Sequence, residues 1–80
     1  IADTHRALIV DFAAVPFLDS TAANTIESLA HKAGRKGVRV ILTGTSHGIR
    51  QELFAHAIKP PLVGYDRTIE TALKKLRRQA

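Results

Sequence analysis

Asp19, Ser20 and Thr21 set a carboxylate and two hydroxyls in succession, directly ahead of apolar residues at helical spacing. Side-chain oxygens at such a point accept hydrogen bonds from the free N–H groups of a first helical turn. As a hydrolytic nucleophile Ser20 would need a histidine base delivered by the fold, and the Gly-x-Ser-x-Gly elbow is absent. Capping accounts for these residues without catalysis. Asp11 closes an apolar run, where a carboxylate needs a partner; the Asp19–Ser20 cap or a backbone N–H would serve. The run Thr43-Gly-Thr-Ser-His-Gly48 has the outline of a phosphate-holding loop. It lacks the Gly-Lys-Ser/Thr ending of a P-loop and has too few glycines for a dinucleotide fingerprint. His5, His31, His47 and His56 do not form His-Glu-x-x-His, and no cysteine completes a zinc set. The acidic residues are scattered or sit at caps. The expectation is a domain that is not an enzyme and carries no metal or resident cofactor.

Eighty residues allow a single domain, 1–80, with a thin core. Apolar residues make up 45% and aromatics 5%, so that core is aliphatic. The absence of cysteine excludes disulfide frameworks and fits a reducing compartment. The longest apolar stretches, Ala7 to Val10 and Val38 to Leu42, are strand-sized and far short of a membrane span. The opening Ile1-Ala-Asp-Thr-His-Arg6 has neither an initiator Met nor the pattern of a signal peptide, so the chain reads as part of something larger. The net charge of +5 invites a nucleic-acid reading. Its placement argues otherwise. Arg35, Lys36 and Arg39 flank one turn, Lys74, Lys75, Arg77 and Arg78 close the chain, and no aromatic residue interleaves with them. Cations in a last helical turn complement the helix dipole, and an anionic lipid surface is another use for them. No nucleic-acid partner is expected.

The elements that position these groups alternate. Ala7-Leu-Ile-Val-Asp-Phe12 reads as a buried strand, and Ala13 to Leu18, with Pro16, as a loop. Asp19 and Ser20 open a helix whose face is Ala22, Ala23, Ile26, Leu29, Ala30 and Ala33, with Gly34 as its stop. Val38 to Leu42 is the second strand, and Thr43 to Ser46 a turn ending in a Ser46 cap. Ile49, Leu53, Phe54 and Ala57 mark a helix of roughly three turns that Lys59-Pro-Pro61 ends. Leu62-Val63 is a short strand, and Asp66 caps a last helix striped by Ile69, Ala72, Leu73 and Leu76. Strands joined by helices imply an α/β fold, a small and mostly parallel sheet with right-handed crossovers. Two or three strands make a poor sheet, so at least one is expected to be missing on the N-terminal side. The uncovered edge would allow a homodimer.

The segment Leu8-Ile-Val-Asp-Phe…Pro-Phe-Leu-Asp-Ser-Thr-Ala-Ala23 resembles a STAS domain, the module shared by sulfate transporters and anti-sigma factor antagonists. The resemblance continues through Gly37-Val-Arg-Val-Ile-Leu-Thr-Gly44, through Ile49 to Pro61, and through Thr68-Ile-Glu-Thr-Ala-Leu73. It implies a STAS-like fold whose first strands and first helix are missing here, with Ile1 to His5 trailing from that lost helix. In the antagonist branch the hydroxyl residue after the motif Asp is the phosphorylation switch; that position is Ser20, with Thr21 beside it. Ala22 stands where the antagonist branch has glycine, and Ala22-Ala-Asn24 with the C-terminal segment resembles the transporter branch. The resemblance therefore implies the cytoplasmic regulatory domain of a SulP-type sulfate or related anion transporter, on the inner side of the plasma membrane. Its partners would be the transporter's membrane domain or a regulatory protein. The implied surface is Asp11, Asp19, Ser20, Thr43, Thr45 and Ser46, with nucleotide binding a family-level option. The alternative is a stand-alone anti-sigma factor antagonist switched at Ser20.

Overall fold

A computed structural model of the chain describes residues 7–79. The proposed trailing segment Ile1 to His5 lies outside them. The elements are β1 (Ala7–Asp11), α1 (Ser20–Arg35), β2 (Arg39–Thr43), α2 (His47–Ala55), β3 (Gly64–Asp66) and α3 (Ile69–Gln79). The strands form one sheet in the order β1-β2-β3. Both pairings are parallel, with Ile9 opposite Ile41 and Asp11 opposite Thr43 in the first, and Thr43 opposite Asp66 in the second. The Phe12 N–H continues the ladder by donating to the Thr43 carbonyl at 2.8 Å. The expected small parallel α/β fold is what the chain forms.

Alternation along β2 divides its apolar side chains between two layers. Val40 and Leu42 join Phe12, Ala30, Ala33, Ile49, Leu53, Ile58 and Val63 in one buried cluster beneath α1 and α2. Ile41 points the other way, toward α3, where Ala72 is fully buried. Leu8, on the edge strand β1, stays 37% exposed, as do parts of Ile69 and Leu73 on α3. Among the described residues the outer side of β1 has no partner strand.

Four expected boundaries move, each for a local reason. α1 runs past Gly34 and stops at Gly37, whose φ of 75° lets the Val38 N–H reach the Ala33 carbonyl at 2.8 Å and the Gly37 N–H reach Gly34 at 3.1 Å. α2 ends before Lys59-Pro-Pro61 and is shorter than three turns. Ala57 takes φ 62°, and the Ile58 and Ala57 N–H groups close on the carbonyls of Leu53 and Phe54, both at 2.9 Å. Ala57 is therefore outside the helix and exposed, and Phe54 is 43% exposed instead of facing the core. The third strand is Gly64–Asp66, because Leu62 is held in a turn by its N–H to the Lys59 carbonyl and Val63 is committed to the core. Thr68, not Asp66, caps α3: its hydroxyl accepts from the Thr71 N–H at 3.1 Å, and the Thr71 hydroxyl accepts from the Thr68 N–H at 3.2 Å.

The parallel layout also sorts charge. Strands end, and helices begin, at one pole, which carries Asp11, Asp19, Asp66 and Glu70. The opposite pole receives the ends of α1 and α3 and the head of β2.

Candidate functional site

The loop from β1 to α1 is fastened at two points. Val15 donates to the Phe12 carbonyl at 3.0 Å, and Val15 and Leu18 pack against the core. Between them Phe17 is turned outward and is 72% exposed. Asp19 follows in extended backbone (φ −91°, ψ 173°) and is the N-cap: its Oδ1 accepts from the Ala22 N–H at 2.8 Å, and its carbonyl accepts from the Ala23 N–H at 2.9 Å. Ser20 and Thr21 are thus the first two residues of α1, both exposed. Neither side-chain hydroxyl makes a hydrogen bond among the described residues, and the first turn holds no acidic side chain. Because Asp19 performs the capping, the two hydroxyls are not needed for it. A phosphate on Ser20 would meet the positive end of the helix dipole with one carboxylate already there.

Asp11 goes elsewhere. The parallel register sets it beside Thr43, whose Oγ1 donates to its Oδ1 at 2.9 Å. The partner is a side-chain hydroxyl, neither the Asp19–Ser20 cap nor a backbone N–H as expected. Thr43 is fully buried, so it fastens Asp11 from within and is not itself part of any surface. Gly44 follows with φ 67°, and a Cβ there would stand 2.9 Å from the Ala13 nitrogen and 3.0 Å from Asp11 Oδ1. Glycine is required by both conformation and space. A shallow cleft of about 200 Å³ opens beside this pair, lined by Asp11, Ala13, Arg67, Thr68, Ile69 and Glu70.

Ser46 caps α2, accepting from the Ile49 N–H at 3.3 Å. Thr45 accepts from Arg50 Nη2 at 3.3 Å, and the same guanidinium lies 5.5 Å from the centre of the Tyr65 ring. Tyr65 also meets Phe54, ring to ring at 5.5 Å, and donates its hydroxyl proton to the Ile58 carbonyl. Burial pushes the Tyr65 phenol up to about 12, with Arg50 opposing. This Arg50–Tyr65–Phe54 group was missed from sequence because Phe54 fell on an apparently inward helical position. Asp66, expected only as a helix cap, centres a second group. The Thr71 hydroxyl donates to it at 2.6 Å, the Arg67 N–H at 2.8 Å, and Lys75 lies at 3.3 Å. The Thr71 hydrogen bond leads in holding this carboxyl below its usual value, followed by the Arg67 N–H and Lys75, against the opposing effect of burial.

The structure therefore brings Asp19, Ser20 and Thr21 into one exposed corner, Asp11 and Thr43 into a second group, and Thr45 and Ser46 into a third at the same pole. His31 faces Glu27 of α1 at 3.9 Å, and His56, just past α2, faces Glu52 at 3.2 Å. Among the described residues no three His, Asp or Glu side chains converge as metal ligands, and no helix is long and apolar enough to cross a membrane. A family model described as STAS domain matches residues 1–75. No curated protein matches the chain.

Proposed function

The chain belongs to the STAS domain family, matched over residues 1–75, and on that premise we propose that it is the cytoplasmic regulatory domain of a SulP-type sulfate or related anion transporter. In this reading transport belongs to a membrane domain elsewhere in the parent protein. The domain acts without turnover, through contact with that membrane domain or with a regulatory protein. The observation that carries the proposal is the corner at the start of α1: Asp19 is consumed as the cap, and Ser20 and Thr21 are left presented to solvent. Hydroxyls that folding does not use are free to contact a partner or to accept phosphate. Ala22 supports the transporter branch. Its N–H is bound to Asp19 in ordinary helix geometry, so the corner does not need the glycine of the antagonist branch.

The test is the coding sequence upstream of Ile1. The proposal expects roughly ten or more apolar spans, each about 20 residues long. A parent without such spans would replace it with the second reading, a stand-alone anti-sigma factor antagonist. That reading is favoured by the exposed Ser20 immediately after the motif Asp, and it expects stoichiometric phosphate on Ser20 from a cognate kinase.

A further inference from the structure

Lys32, Arg35 and Lys36 end α1, Arg39 opens β2, and Lys59 precedes β3. Four more cations fill the second half of α3. Parallel topology carries these toward the pole opposite Ser20, with Lys75 reaching back to Asp66, and all are exposed. Arg39 shares one cleft with Lys75, Leu76 and the carboxylate of Asp66, and borders another with Pro60 and Pro61. The described acidic residues lie at the other pole or along the helices, and Lys75 is paired with one of them, Asp66. Arg39 has a partner of its own.

Complementing helix dipoles accounts for the last-turn cations of α1 and α3 but not for the whole pattern. The last turn of α2 ends at the same pole and has no basic residue, whereas Arg39 and Lys59 belong to no helix. Cations from four separate segments meet on one end of the molecule regardless of element type. Lysines and arginines spread over four segments, with no aromatic interleaved in the basic runs themselves, suit a diffuse anionic surface better than stacked bases.

We propose that this basic pole docks on the anionic headgroups of a lipid bilayer. Docked so, the domain holds the Ser20 corner away from the membrane, toward soluble partners. The proposal concerns the pole opposite the candidate site and is tested on the 80-residue chain alone, so it stands or falls apart from the transporter reading.

The experiment is flotation with phosphatidylcholine vesicles containing none or about a third phosphatidylglycerol, at low and high salt. The expected result is binding to the anionic vesicles only, lost at high salt as screening sets in. Arg77→Gln with Arg78→Gln should weaken it roughly tenfold or more, given the usual contribution of each cation near a membrane surface. Arg50→Gln with Arg67→Gln removes the same charge from the other pole and should change it far less. A fluorophore sensitive to polarity on Ala55→Cys, at the basic pole, should shift to the blue on binding, and one on Ala14→Cys should not. Equal losses from both arginine pairs, equal shifts at both probes, or no binding to anionic vesicles would overturn the proposal. Tighter retention on duplex DNA than on the vesicles at equal salt would also overturn it, in favour of a nucleic-acid partner.

Discussion

Gly44 and Asp19 do different work within one end of the sheet. Gly44 lets the chain turn off β2 against Ala13 while Asp11 stays bonded to Thr43. Gly44→Ala combines left-handed backbone with a contact of 2.9 Å to a backbone atom, which side-chain motion cannot relieve. It should cost about 2 kcal/mol or more in urea unfolding. Asp19→Ala should cost about 1 kcal/mol, the usual value of a lost cap, while leaving the fold intact. Two titrating groups set opposite limits on the pH range. Asp66 has a lowered carboxyl value in the folded state, so its contribution is present above the unfolded value near about 4 and is lost as pH falls through the folded one. Denaturation midpoints between about pH 6 and pH 2 should fall less steeply for Asp66→Asn than for the parent. Tyr65 titrates in the reverse sense. Its phenol is raised to about 12, so its contribution is complete below the unfolded value near 10 and is lost as pH rises toward the folded one. Tyr65→Phe should remove that alkaline loss, at a cost of about 1 kcal/mol for the hydrogen bond to Ile58.

At the scale of elements, the end of α2 is the clearest place where local preference was overridden. An alanine at φ 62° occupies a position that glycine fills at lower cost. Ala57→Gly should therefore stabilise the domain, by about 0.5 to 1 kcal/mol, readable as a higher thermal midpoint. Nothing in the residue type announces this turn, and for that reason the sequence pattern carried α2 on to the prolines. The end of α1 was closer to legible. Gly34 and Gly37 both lie near it, and the apolar Val38 directly after Gly37 is the companion a left-handed helix stop employs. The strand and helix order, the Asp19 and Ser46 caps and the aliphatic core were readable because each rests on spacing within one segment. The Asp11–Thr43 bond and the Arg50–Tyr65–Phe54 group were not. They depend on the register of β1 against β2 and on the placement of β3 beside α2, which periodicity within a segment does not encode.

For the molecule as a whole, parallel topology is what makes two unlike ends. Every strand delivers its last residue, and every helix its first, to the pole where Asp19 caps α1 and Ser20 is exposed. A corner built this way can change charge without changing fold, because the hydroxyl contributes no hydrogen bond that folding relies on and a phosphate there is favoured by the helix dipole. On the proposed transporter reading, the measurement closest to that claim pairs the thermal midpoint of the domain with anion uptake by the full-length parent protein reconstituted in vesicles, for Ser20→Ala and Ser20→Glu. The predicted result is a midpoint within about 5 °C of the parent for both variants, with uptake changed severalfold by Ser20→Glu and little by Ser20→Ala. Uptake unaltered by Ser20→Glu, or a domain that unfolds when Ser20 is replaced, would contradict the account.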